Sequence, residues 1–216
     1  NGIGLELARV HASKGGDLIL VARSKDKLEA LKSEIEAQYK VEVICIEKDL
    51  SLPNAAQDIY NETKNIQVDY LINNAGFGDH GFFTDTNWNK EHQMIELNIT
   101  ALTQFTKLYL QDMVKRGSGR IMNVASTASF QPGPTMAVYC ATKAYVLSFS
   151  EAVNNEVSDK GVTITTLCPG ATQSGFDVAA SMENSNLFKN KNLPTSKDVA
   201  VYGYASMMKG KAVAIH

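Results

Sequence analysis

The chain has 216 residues, 21 basic against 23 acidic side chains, and a formal net charge of −2. That length supports one domain with a sizeable core rather than two, and the near-neutral balance excludes a nucleic-acid surface or an acidic tail. Apolar runs are short and interrupted, so no membrane span is expected, and the opening residues lack the basic start and apolar stretch of a leader peptide.

Asn1-Gly2-Ile3-Gly4 leads directly into helical periodicity carried by Ile3, Leu7 and Val10. A buried strand is expected over 17–22, then a helix over 25–39 with Leu28, Leu31 and Ile35 on one face. A strand over 41–46, a helix over 55–63 and a strand over 68–72 follow, the last ending in Asn73-Asn74-Ala75-Gly76. Next come a helix over 90–116, a strand over 120–124, a helix over 137–158 and a strand over 162–168. Strands alternating with helices predict a parallel sheet covered on both faces: a doubly wound, three-layer α/β domain spanning 1–216. A glycine-rich turn normally follows a strand, and residues 211–216 read as a strand with nothing after it. The expectation is a domain lacking its first strand and its C-terminal tail.

Cys45, Cys140 and Cys168 show neither CxxC pairing nor metal-ligand spacing, so no metal is expected. An odd, sparse count suits a reducing cytoplasmic setting.

Gly2 and Gly4 fit a phosphate-binding turn. Free N–H groups point outward at a helix N-terminus, the helix dipole favours an anion, and glycines allow close approach. At the end of the 17–22 strand, an acidic residue would hold a ribose 2′-hydroxyl, whereas an arginine accommodates a 2′-phosphate. Arg23 and Ser24 occupy that place, which points to NADP(H). Lys25 and Lys27 read as the solvated face of the next helix.

Tyr139 and Lys143 lie one helical turn apart on one face. A nearby ammonium stabilises a phenolate and makes tyrosine a usable acid or base. This spacing is common by chance; its surroundings give it meaning. Ser126 follows the 120–124 strand at the sheet end that presents ligands. Asn98 lies inside a helix, where asparagine is a poor helix former, and so predicts a kink.

These residues resemble the short-chain dehydrogenase/reductase family over nearly the whole chain. The resemblance rests on Asn1-Gly2-Ile3-Gly4, Asp49-Leu50, Asn73-Asn74-Ala75-Gly76, Asn98, Ser126, Tyr139-x-x-x-Lys143 and Pro169-Gly170, all in family order. It is closest in character to bacterial-type members of unassigned substrate. The resemblance implies a Rossmann fold and NADP(H)-dependent hydride transfer to a carbonyl or from an alcohol. Tyr139 would be the general acid or base. Lys143 would lower its pKa and hold the nicotinamide ribose. Ser126 would orient the carbonyl, and Asn98 would hold a relay water. Asn1, Gly2, Ile3, Gly4, Arg23 and Ser24 would bind the cofactor phosphates. Asp49 and Leu50 would approach the adenine. Asn74, Ala75 and Gly76 would line the ribose; Pro169, Gly170 and Thr172 would flank the nicotinamide, with Ser174 where the family usually has threonine.

A lid is expected over 176–193, and Phe82, Phe83, Phe130 and Met136 are candidate apolar walls or ordinary packing. With no cationic cluster to mark a carboxylate, a neutral, largely apolar small-molecule carbonyl is expected. Leu102, Phe105, Tyr109 and Met113 form one helix stripe, and Leu147, Phe149 and Val153 another. The resemblance implies that these helices pair in a homodimer or homotetramer. The rival readings are an NADP(H)-binding sensor without turnover, a non-enzymatic scaffold, and an NAD-dependent alcohol dehydrogenase.

Overall fold

The computed structural model describes residues 2–176, 180 and 192–216. Strands β1 (Leu18–Ala22) and β2 (Val43–Glu47) pair in parallel. Strands β3 (Tyr70–Asn73), β4 (Gly119–Val124), β5 (Val162–Cys168) and β6 (Val213–Ile215) pair in parallel in that order. Among the described residues the strands thus form two hydrogen-bonded groups, and one edge each of β1 and β3 carries no strand partner. Both strands are only partly buried despite their apolar sequences, whereas β4 and β5 are largely buried. Val21 and Ile46 of the first group and Leu71 of the second pack around Ile59, Phe105 and Tyr109, which ties the groups together.

The period of two along β4 separates two layers. Met122 and Val124 face helices α1 (Gly2–Ala12) and α7 (Ser196–Met208), against Leu7, Val199 and Met207. Ile121 and Ala125 face α5 (Leu102–Arg116) and α6 (Ala137–Glu156), against Met113, Val146 and Leu147. Helices α2 (Lys25–Tyr39) and α3 (Ala55–Thr63) follow β1 and β2. The fold is the expected Rossmann-like α/β architecture. The stripe of Leu102, Phe105, Tyr109 and Met113 is buried in the chain's own core.

Two elements differ from expectation. The single helix over 90–116 is α4 (Trp88–Ile95), a π-helical segment (Glu96–Ala101) and α5. It begins earlier because the Asn87 side chain accepts from the Asn89 and Lys90 amides. Helix α7 was not expected. Its buried positions include Ala200, Gly203 and Ser206, too small to draw an apolar stripe in the sequence. Its start is nevertheless written as a capping box, in which Thr195 and Asp198 satisfy each other's amides.

Candidate active site

In an open α/β sheet, ligands bind beyond the carboxyl ends of the strands. A cavity of about 640 Å³ opens there. Its lining includes Gly2, Ile3 and Arg23, then Asn74 and Gly76, and then Ser126, Tyr139, Lys143, Pro169, Gly170 and Thr172. Residues far apart in the chain share one surface in part because β3, β4 and β5 are paired in parallel.

Several expected cofactor residues stand outside this lining. The Gly4 site is tightly packed: a Cβ there would lie 2.5 Å from Asn74 Nδ2. Glycine is thus needed to seat Asn74, which does line the cavity. Gly2 has φ +63 and packs against the Ser174 carbonyl, so both positive φ and close approach call for glycine. Leu50 packs into the core near Ile59. Asp49 accepts from the Ser51 amide (2.9 Å) and hydroxyl (2.7 Å). Burial pushes its carboxyl upward, but these bonds and the Arg23 charge outweigh it and hold it below its ordinary value. Ala75 is exposed beside the cavity. Ser24 occupies the N-cap position of α2 without capping it through its side chain. Asn1 lies outside the described residues, as do 177–179 and 181–191 of the expected lid.

The chemistry-bearing residues are buried. Tyr139 is 7% exposed and Lys143 5%. Lys143 Nζ donates to the Val124 carbonyl at 2.9 Å and stands 5.9 Å from the centroid of the Tyr139 ring. The Ser126 hydroxyl interacts with the Tyr139 phenol and accepts from the Ala128 amide at 3.1 Å, capping a short 3₁₀ turn (Thr127–Phe130). Ser126 thus caps the turn while its hydroxyl stays beside the phenol. Burial pushes the Tyr139 phenol up to about 12, opposed by the Ser126 hydroxyl. Burial also pushes the Lys143 ammonium down to about 8, opposed by the field of Cys168. Burial rather than the lysine therefore sets the phenol's position.

Asn98 sits in the π-helical segment, where a widened turn replaces the expected kink. Its Oδ1 accepts from the Phe77 amide (3.2 Å), and its Nδ2 donates to the Phe77 carbonyl (3.0 Å) and the Thr142 hydroxyl (3.1 Å). A Cβ on Gly76 would lie 2.9 Å from Asn98 Oδ1 and 3.3 Å from Lys143 Nζ. The bare glycine therefore leaves a gap between the two polar atoms.

Of the expected walls, Met136 lines the cavity. Phe82, Phe83 and Phe130 are instead 70%, 66% and 52% exposed. The chemistry also rests on a buried polar network that sequence reasoning missed. Asn73 Nδ2 donates to Asn123 Oδ1 (2.8 Å) and Thr106 Oγ1 (3.1 Å), and Asn123 Nδ2 donates to Ser150 Oγ (2.9 Å). It joins β3 and β4 to α5 and α6 beneath the site. Its readable signal was asparagine at strand positions, where that residue is depleted.

A family model described as short chain dehydrogenase matches residues 1–185. The human very-long-chain 3-oxoacyl-CoA reductase is 34% identical over 177 residues, which are 78% of this chain and 55% of that protein. The chain thus spans little more than half the length of this curated relative. A short-chain dehydrogenase from Sphingobium yanoikuyae, solved in complex with NADPH, superposes with a TM-score of 0.91 at 29% identity, covering 99% of this chain and 83% of that one. The bulky-bulky ketone specific alcohol dehydrogenase from Comamonas testosteroni superposes with a TM-score of 0.88 at 27% identity, over 99% and 81% of the two chains. Vertebrate as well as bacterial proteins are therefore similar to it. With the family model running over most of its length, the chain belongs to the short chain dehydrogenase family.

Proposed function

We propose that this protein is an NADP(H)-dependent carbonyl reductase acting on a neutral, largely apolar ketone, with Tyr139 as the proton donor. The observation that carries this reading is one cavity lined both by Ser126, Tyr139 and Lys143 and by the fixed cation Arg23. A dinucleotide phosphate fits that layout. Arg23 and the free hydroxyl of Ser24 would take the 2′-phosphate, and the N-terminus of α1 the pyrophosphate. Asn74, Gly76 and Lys143 would take the nicotinamide ribose, and Pro169, Gly170 and Thr172 the ring. The Sphingobium yanoikuyae neighbour was solved with NADPH, which supports this choice of cofactor.

When bound, the cofactor supplies the hydride; the protein's own residues do the rest. The Ser126 and Tyr139 hydroxyls donate to the substrate carbonyl oxygen and hold it in place. As negative charge grows on that oxygen, these donors stabilise it, and the Tyr139 phenol passes its proton to it. Lys143, charged near neutrality, stabilises the resulting phenolate. A phenol at about 12 is protonated across the neutral range, so it is available there as a proton donor.

The walls around Tyr139 include Phe77, Ala128, Met136 and Phe176, and Arg23 and Lys143 belong to the cofactor portion. This supports an uncharged substrate. The alcohol dehydrogenase from Comamonas testosteroni is described as specific for bulky-bulky ketones, in keeping with an apolar carbonyl compound. The test is NADPH consumption on adding acetophenone, beside the same assay with NADH. Turnover with a preference for NADPH is expected. Nucleotide binding with no turnover of any apolar ketone would contradict the reading.

A further inference from the structure

We propose that Phe176, seated over Gly78 and against Tyr139, determines which ketones the site accepts, by filling the space one of the two carbonyl substituents would use. The inference rests on the reductase reading of the same site. The Phe176 and Tyr139 ring centroids are 5.3 Å apart at an interplanar angle of 47°. A Cβ at Gly78 would lie 2.7 Å from Phe176 Cζ and 3.1 Å from Tyr139 Cδ2. Gly78 is buried, and it is Phe176, not Gly78, that faces the cavity. The ring therefore covers the glycine and takes up the volume beside the phenol on that side.

The loop under the ring is held in place. Lys90 Nζ donates to Asp79 Oδ1 at 2.6 Å, and the Gly81 amide donates to the Thr135 carbonyl at 2.9 Å. These two contacts flank Gly78 on its C-terminal side, where the ring packs on the bare backbone. Gly133 also lines the cavity, and Cys140 Sγ fills the place where a side chain on it would go. With Phe176 beside the phenol, the substituent on that side must be small.

The experiment compares acetophenone, with one small substituent, and benzophenone, with two large ones. Wild type, F176A, G78A and the F176A/G78A double variant are assayed with NADPH for kcat/KM, and binding of each ketone is measured by calorimetry. F176A is expected to raise the benzophenone-to-acetophenone ratio by about tenfold, the scale on which apolar pocket contacts discriminate. G78A should push the ring into the cavity and lower the ratio several-fold, and by much less once Phe176 is removed, when the added methyl meets only Tyr139. A ratio unchanged by F176A, or lowered equally by G78A in both backgrounds, would overturn the proposal. If the wild type turns over neither ketone, the reductase reading fails. A binding ratio that still follows the same pattern then supports the role of Phe176, and one that does not overturns it.

Discussion

The Asn98 side-chain amide donates to the Thr142 hydroxyl over 3.1 Å, joining the π-helical segment to the turn of α6 between Tyr139 and Lys143. Thr142 Oγ1 in turn donates to the Tyr139 carbonyl at 2.8 Å. Both side chains are buried. T142V removes the acceptor and strands a buried N–H, which costs about 1–3 kcal/mol; T142S keeps the hydroxyl and should lose much less. Urea unfolding of the two variants beside wild type checks this.

Gly4 acts through Asn74. A methyl group at position 4 would lie 2.5 Å from Asn74 Nδ2, so G4A must displace a side chain that lines the cavity. NADPH binding should weaken by roughly tenfold, within the ~1–3 kcal/mol of a small-to-large change in a packed site. A fluorescence titration of NADPH reads it. An unchanged affinity would mean that Asn74 does not touch the nucleotide.

In the proposed reading Arg23 sets nucleotide choice. It lines the cavity and acts electrostatically on Asp49. R23D should abolish the preference for NADPH over NADH, because an acidic residue in that place favours a free ribose hydroxyl. Parallel titrations with both nucleotides measure the change. If the preference survives, the 2′-phosphate is held elsewhere.

Lys143 links stability to pH. Its ammonium is held down at about 8 against an ordinary 10.5. Between those values the unfolded chain binds more protons than the folded one, so stability rises with pH across that window. Tyr139, pushed up from 10.0 to about 12, acts in the opposite direction above pH 10. Cys168, pushed up from 9.0 to about 11 by burial, does the same above pH 9, so the clean interval is pH 8 to 9. There, wild type should gain stability relative to K143M, as measured by urea unfolding at both ends.

Much of this was legible in the chain itself. Strand and helix alternation gave the layers, since each strand is a short apolar run closed by turn residues. The ordered residues from Asn74 to Gly170 marked the sheet end where chemistry gathers. Asn98 was readable as a break because asparagine is a poor helix former. That the break is a widened turn, held by Phe77 and Thr142, depends on contacts remote in sequence. Helix α7 escaped because Ala200, Gly203 and Ser206 interrupt the buried stripe of Val199, Tyr204 and Met207, although Thr195 and Asp198 spell its start. The exposure of Phe82, Phe83 and Phe130 runs against their composition. Gly78 gave no sign of its contact with Phe176, for a glycine's neighbours are written in the fold. The position of the Tyr139 phenol likewise follows from how deeply it is buried, which no spacing reveals.

In the proposed NADP(H)-dependent reduction Tyr139 supplies the proton. The most direct test measures Y139F beside wild type, for NADPH affinity and for turnover of an apolar ketone. Unchanged affinity is expected, with turnover lowered by about 10²–10⁴-fold, the usual contribution of a positioned general acid. A Y139F protein that reduces the ketone at the wild-type rate would contradict it.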